Sequence, residues 1–147
     1  MYDSTEDTKK HIEKVGQLLG LFIVELAKRG VTHDASKLKT PEKEVFDVYT
    51  PLLKDCDYNS EAYKHHLSEM GTALTHHYKY NHHHPEHRGI DNMTLIDIIE
   101  MFCDWKAATM RHTTGDFTKS LEINRTRFKI SDQLQHIFEN TNKELDW

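Results

Sequence analysis

An adjacent histidine and aspartate, His33-Asp34, follow the long apolar segment near the start of this sequence. A neutral imidazole and a carboxylate are both good ligands for a divalent metal ion. Further side chains of these kinds occur at His11, at Asp104 and throughout the stretch 76–87. We therefore expect the fold to bring these four places together around a metal ion.

The stretch 76–87 contains His76, His77, His82, His83, His84 and His87 out of twelve histidines in the chain. It cannot be regular helix throughout, because Pro85 disfavours helical backbone at the residue before it. Since adjacent side chains diverge, only some of these imidazoles can bind one ion. We favour His77 on the inner face of a predicted helix, then His83, with His84 next. The alternative is that these side chains hydrogen-bond one another and cap helices.

The rest of the sequence predicts helices that hold these side chains in place. Apolar residues recur at helical spacing over 15–26, which predicts a first helix from residue 4 or 5 to about 29, ended by Gly30. His11 lies on the same stripe, so we expect it to face the core. Five further helices are predicted over about 41–51, 60–80, 93–112, 116–128 and 131–138.

Two further observations complete the predicted architecture. Thr40–Pro41 has the composition of a helix start, and no strand, repeat or domain linker is evident. The sequence therefore predicts one all-α domain over 1–147, a bundle of about six helices.

In the helix over 93–112, a buried Asp104 would need a cation or another partner. The alternative is a solvated or salt-bridged aspartate at the edge of the apolar stripe of that helix.

Composition excludes several classes of function. The formal net charge of -5 argues against a general nucleic-acid or anionic-membrane binder. The longest apolar run, 18–26, is too short to span a bilayer, and the polar N-terminus does not look like a signal peptide. Cys56 and Cys103 are too far apart for a CxxC zinc site and are typical of reduced thiols in a cytoplasmic protein.

The order of His11, His33-Asp34 and Asp104, each on or at the end of a predicted helix, resembles the HD-domain superfamily of metal-dependent phosphohydrolases. The resemblance covers about 11–108. It implies an HD-like helical bundle in which these four side chains are the primary ligands of a divalent ion. The ligand types suit iron, manganese, cobalt, nickel or zinc, with one or two ions bound.

Two further segments carry resemblances. The run His-Asp-Ala-Ser-Lys is similar to the His-Asp-x-Gly-Lys segment of the HD-GYP branch, with Ser36 in place of the glycine and Lys37 as the residue that contacts phosphate. The stretch 76–87 resembles the extra histidines that hold a second metal in some branches, although it lacks the Gly-Tyr-Pro signature. Together, 83–87 and 100–105 also resemble an uncharacterised family of small bacterial and phage proteins over nearly the whole chain.

These observations predict a metal-dependent phosphohydrolase acting on a nucleotide or another small phosphate ester. Lys37 and either Arg88 or Arg111 would balance the phosphate charge, and His76 or Glu86 would pass a proton to the leaving oxygen. The alternatives are an HD-fold dinuclear iron oxygenase and a non-catalytic interaction protein that contains a metal.

The sequence leaves the oligomeric state open. Phe138 and Trp147 are apolar residues near the C-terminus that could cover a partner, including a second copy of the chain.

Overall fold

In the computed structural model, which describes residues 2–111 and 115–147, every regular element is helical. The all-α prediction is therefore confirmed. By its internal contacts the chain divides into two compact units, Met1–His33 and Asp34–Trp147. The prediction of a single domain over 1–147 stays a prediction.

The described residues form eight α-helices rather than the six predicted. Gly71, with a φ of 52°, splits the helix predicted over 60–80, and Pro85 begins a further short helix. The helices are α1 Thr5–Thr32, α2 Lys43–Lys54, α3 Glu61–Glu69, α4 Gly71–Tyr80, α5 Pro85–Arg88, α6 Leu95–Thr109, α7 Phe117–Phe128 and α8 Asp132–Glu144. Two 3₁₀ segments, Ala35–Leu38 and Ile90–Asn92, complete the second unit.

The first unit consists of α1, which runs through Gly30. The predicted helix end at Gly30 is therefore wrong: a glycine inside a helix costs only about 1 kcal/mol, and Thr32 Oγ1 closes the last turn by donating to the Lys28 carbonyl. No residue of α1 is buried. Since a lone helix cannot bury its own apolar stripe, the expectation that His11 faces a core stays a prediction. Across the described residues, no helix combines the length and apolar character that crossing a bilayer requires.

The start of α2 differs from its prediction. Thr40–Pro41 lies in a turn in which the Lys39 carbonyl accepts the amides of Glu42 and Lys43, each at 3.0 Å. Thr40 Oγ1 donates to a Glu44 carboxylate oxygen at 2.7 Å instead of accepting from a backbone amide of the helix. The turn therefore delays the helix to Lys43 and leaves Glu42, just before it, completely buried.

Polar caps begin the last three helices. Thr94 and Asp97 form a reciprocal capping box at the start of α6. Asp116 and Ser131 each accept a backbone amide at the starts of α7 and α8, as the sequence predicts. The predicted end of α6 near His112 lies outside the described residues, and the described helix ends at Thr109.

The core of the second unit joins α6, α7 and α8. Ring stacking of Phe102 on Phe138 and on Trp147 contributes to it. Phe138 is therefore a core residue, and the suggestion that it covers a partner is wrong. Because this core holds one face of α6, it also fixes the polar side chains elsewhere on that helix. The buried apolar residues are Met101, Phe102, Trp105, Phe117, Leu121, Ile130 and Phe138.

Truncation in this core should destabilise the second unit. Leu121 is 1% exposed, so Leu121→Ala leaves a cavity and should lower the free energy of unfolding by about 2–5 kcal/mol in urea denaturation. Leu95 is 68% exposed, and the matched Leu95→Ala should change it by no more than about 0.5 kcal/mol. Equal effects of the two substitutions would contradict this description of the core.

Candidate metal centre

Three imidazoles of the second unit direct their Nε2 atoms to one carboxylate oxygen, Asp34 Oδ1. The distances from this oxygen are 3.3 Å for His77, 3.4 Å for His83 and 3.9 Å for His84. The Nε2 atoms of His77 and His84 lie 2.8 Å apart. Asp34, His83 and His84 offer ligand atoms that all lie within 4.8 Å of one another. The structure thus brings Asp34 together with all three histidines that we favoured in the His-rich stretch.

Different backbone features bring these four side chains to one point. Asp34 has a left-handed backbone, φ 54°, and its carbonyl accepts the Lys37 amide at 2.9 Å to start the first 3₁₀ segment. His77 is buried in α4. Beyond that helix, the amide of His84 donates to the Asn81 carbonyl at 3.1 Å, and this turn directs the chain back to the cluster.

Glu42, completely buried, supports the cluster from the α2 side. Its Oε2 accepts from Ser36 Oγ at 2.8 Å and faces His77 Nδ1 at 2.9 Å, while its Oε1 faces His76 Nδ1 at 2.6 Å. Asn81 Nδ2 donates to Ser36 Oγ at 2.7 Å. Burial opposes ionisation of Glu42, but these hydrogen bonds outweigh it and lower its pKa. No motif in the sequence singles out Glu42, so sequence reasoning missed this role.

Glu100 supports the cluster from the α6 side. Its Oε1 lies 3.1 Å from His83 Nδ1, and both side chains are largely buried. Sequence reasoning missed it and chose Asp104, four residues later and thus near the same face of α6. Asp104 is half-buried, and together with burial its charge contributes to raising the pKa of Tyr63 to about 12. The role of Asp104 as a metal ligand stays a prediction.

The protonation states of the cluster suit metal binding. Burial would raise the pKa of Asp34, but its close contact with His77 and the charge of Lys37 outweigh burial and hold that pKa well below its ordinary value. Burial, reinforced by the two neighbouring imidazoles, lowers the pKa of His84 to about 2. Asp34 is therefore ionised and His84 neutral near pH 7, as metal ligands must be.

The donor set also fits a divalent ion in its geometry. Ligand atoms about 2.1 Å from one ion lie about 3.0–3.4 Å from each other. The distances from Asp34 Oδ1 to the Nε2 atoms of His77 and His83, 3.3 and 3.4 Å, match this range, whereas that to His84 is longer, at 3.9 Å. An ionised carboxylate only accepts hydrogen bonds, so the Nδ1 atoms that face Glu42 and Glu100 must be the donors. In a neutral ring, Nε2 then carries the lone pair. Two such nitrogens, the Nε2 of His84 and one carboxylate oxygen suit iron, manganese, cobalt, nickel or zinc better than magnesium or calcium.

Two of the predicted catalytic residues border the cluster. Lys37 Nζ lies 2.7 Å from Asp34 Oδ2 and 4.8 Å from the centre of the Phe46 ring, and its side chain is 33% exposed. The His76 side chain is 34% exposed and contacts the buried Glu42 carboxylate. Both residues therefore connect solvent with the polar groups around Asp34.

Glu86 lies on the α5 side of the cluster. Its Oε1 accepts from Arg127 at 2.8 Å, and its Oε2 lies 3.8 Å from His84 Nδ1. Burial raises the pKa of Glu86 although Arg127 opposes the shift. Sequence reasoning did not pair these two residues. Arg88 is half-buried and Arg111 is exposed; their phosphate-binding roles stay predictions.

Two of the predicted ligands, His11 and His33, belong to the first unit, whereas Asp34 and Asp104 belong to the second. The four-ligand set implied by the HD-domain resemblance therefore stays a prediction.

Comparison with families of related sequences places the chain. The model of DUF5662, a family of unknown function, matches residues 1–145. Comparison with curated proteins and with solved structures finds no match. The resemblance to the HD-domain superfamily stays a prediction. Because the match extends over nearly its whole length, the chain belongs to the DUF5662 family.

Proposed function

We propose that this protein is a metal-dependent phosphohydrolase acting on a nucleotide or another small phosphate ester. The observation that carries the proposal is the double engagement of the Asp34 carboxylate. Its Oδ1 faces three imidazole nitrogens, while its Oδ2 binds the ammonium group of Lys37 at 2.7 Å. The ammonium group of Lys37, which can pair with phosphate, is therefore bound to the same carboxylate that faces the proposed metal ligands.

The residues proposed to hold the ion, or one of two ions, are Asp34, His77, His83 and His84. When bound, a divalent ion supplies Lewis-acid chemistry: it lowers the pKa of a bound water and polarises a phosphoryl oxygen. The chain itself excludes most water from this site, because His77 and His83 are almost fully buried.

The remaining roles fall to side chains at the border of the cluster. Partly exposed Lys37 can contact a phosphate oxygen without leaving Asp34, because an ammonium group has three donors. His76 and Glu86 are the candidates for passing a proton to the leaving oxygen, since each is partly exposed and lies beside a group that contacts the cluster. These contacts recognise the phosphate and not the nucleotide or other group attached to it.

Metal content is the first test. After reconstitution with iron, manganese, cobalt, nickel or zinc, the wild type should retain at least one equivalent by elemental analysis, whereas Asp34→Ala and His83→Ala should lose it. At a free metal concentration of 100 times Kd, binding should stabilise the fold by about 2.7 kcal/mol.

His82 provides the matched control for that experiment. It is exposed and directly precedes buried His83, so His82→Ala should keep the metal content of the wild type. A wild type without metal after reconstitution would contradict the proposal, as would equal losses in His82→Ala and His83→Ala.

Phosphate release is the second test. Metal-loaded wild type should release inorganic phosphate from a panel of nucleotides and simple phosphate esters. Lys37→Met should retain metal but lose about 10- to 100-fold in kcat/KM, because it removes a charge-assisted hydrogen bond of about 1.5–3 kcal/mol.

Lys39 is the matched lysine for this comparison, since it is exposed two residues away. Lys39→Met should behave as the wild type. Equal phosphate release by Lys37→Met and wild type would refute the role of Lys37. Oxygen consumption by the iron-loaded protein without phosphate release would instead establish the oxygenase, and unfolding on chelation without turnover of any substrate would establish the non-catalytic protein.

A further inference from the structure

We propose that two buried carboxylates, Glu42 and Glu100, are positioning residues of the metal centre. Each holds one histidine in the tautomer protonated at Nδ1, so that its Nε2 lone pair faces Asp34. Glu42 acts on His77 and Glu100 acts on His83. The proposal rests on the metal site of the proposed function and adds two residues that lie outside the ligand set.

The two carboxylate–histidine pairs have the same geometry although different helices supply them. Each Nδ1 lies close to a glutamate oxygen, at 2.9 Å for His77 and 3.1 Å for His83. Each Nε2 lies at nearly the same distance from Asp34 Oδ1, 3.3 and 3.4 Å. A hydrogen bond from the distal ring nitrogen to a carboxylate is the common way in which proteins orient a metal-binding histidine.

The hydrogen bonds around Glu42 also determine which atoms donate. Asn81 Nδ2 donates to Ser36 Oγ at 2.7 Å, so the hydroxyl hydrogen of Ser36 is directed to Glu42 Oε2 at 2.8 Å. His77 Nδ1 meets the same oxygen and donates to it, because the carboxylate has no hydrogen to give. Asn81 Nδ2 also lies 3.0 Å from this nitrogen, but both of its hydrogens are donated elsewhere, to Ser36 Oγ and to the His77 carbonyl. In a ring that carries one proton, Nε2 is then the nitrogen left to accept, on the side of Asp34.

Glu100 is held by a different part of the fold. It lies on α6 next to Met101 and Phe102, which are both buried in the core shared with α7 and α8. Its side chain is 9% exposed. The position of the His83 ring is therefore set from the core side of the unit, and that of His77 from the α2 side.

Replacing each glutamate by methionine tests the proposal, because methionine is similarly long and unbranched but cannot accept these hydrogen bonds strongly. In Glu42→Met and Glu100→Met, the apparent Kd for Zn²⁺ or Co²⁺ should rise about 10- to 100-fold in competition with a chromophoric chelator. The glutamine variants, which retain an acceptor oxygen, should lie between the methionine variants and the wild type. Glu44 is exposed, and Glu44→Met should leave Kd unchanged.

The tautomers provide a readout that a merely structural role would not change. In long-range ¹H–¹⁵N spectra of the metal-free protein, His77 and His83 should both be protonated at Nδ1. Glu42→Met should remove this preference at His77 alone, and Glu100→Met at His83 alone.

Unchanged tautomers and unchanged Kd in a folded methionine variant would overturn the proposal. If Glu42→Met does not fold, Glu100→Met and the glutamine variants still decide it. A wild type that binds metal but lacks these tautomers would overturn the positioning role alone. A wild type that binds no metal would reject the proposed function and the metal centre with it, and the tautomers would then report only whether the two glutamates orient the rings.

Discussion

The carboxylate of Glu42 imposes the strongest local constraint on the second unit. A fully buried carboxylate is costly unless hydrogen bonds replace its lost water. Here the donors come from Ser36 in the first 3₁₀ segment and from two neighbouring histidines in α4. Satisfying this one group therefore ties three chain segments together, and it orients the ring of His77 as a consequence.

The opposite side of the cluster depends on apolar packing. Met101, Phe102 and Trp105 bury one face of α6 against α7 and α8, which holds the helix in a single position. Glu100 on α6 then meets His83, which enters from the turn before α5. The two glutamates thus depend on different forces, hydrogen bonding for Glu42 and core packing for Glu100, yet they orient their histidines in the same way.

The sequence predicts the side chains of the cluster better than it predicts the residues that support them. Asp34, His77 and His83 could be chosen because imidazole and carboxylate are metal ligands in any context, and the structure places these side chains together. Glu42 follows Thr40–Pro41 and looks like an ordinary acid in a first helical turn. Its burial depends on the turn from Lys39, which is a contact between backbone groups and leaves no pattern in the sequence.

Glu100 shows a second limit of prediction from periodicity. Within α6, Leu95, Phe102 and Trp105 recur at helical spacing, which predicts that all three face the core. Phe102 and Trp105 are buried there, but Leu95 is exposed. Periodicity gives the direction of a helix face to within about one residue position, and Glu100 and Asp104 both fall near the edge of that face. The choice between them depends on where the His83 ring lies, which only the tertiary structure determines.

The charges in the cluster give an argument for a cation that does not depend on any resemblance. Asp34, Glu42 and Glu100 bring three carboxylates to within 3.4 Å of His77 or His83, and Lys37 pairs with Asp34 at 2.7 Å. A cation bound at this point would therefore lie against several carboxylates, which favours its binding.

Uncompensated buried charge costs several kcal/mol per ion. His77 and His83 present lone pairs rather than hydrogens to Asp34 Oδ1 when their Nδ1 atoms donate to Glu42 and Glu100. Nε2 lone pairs that face a carboxylate oxygen repel it, and the arrangement becomes favourable when a cation lies between them. A divalent ion between Asp34 and these imidazoles would supply that attraction, and this is why the geometry of the cluster favours the proposed metal.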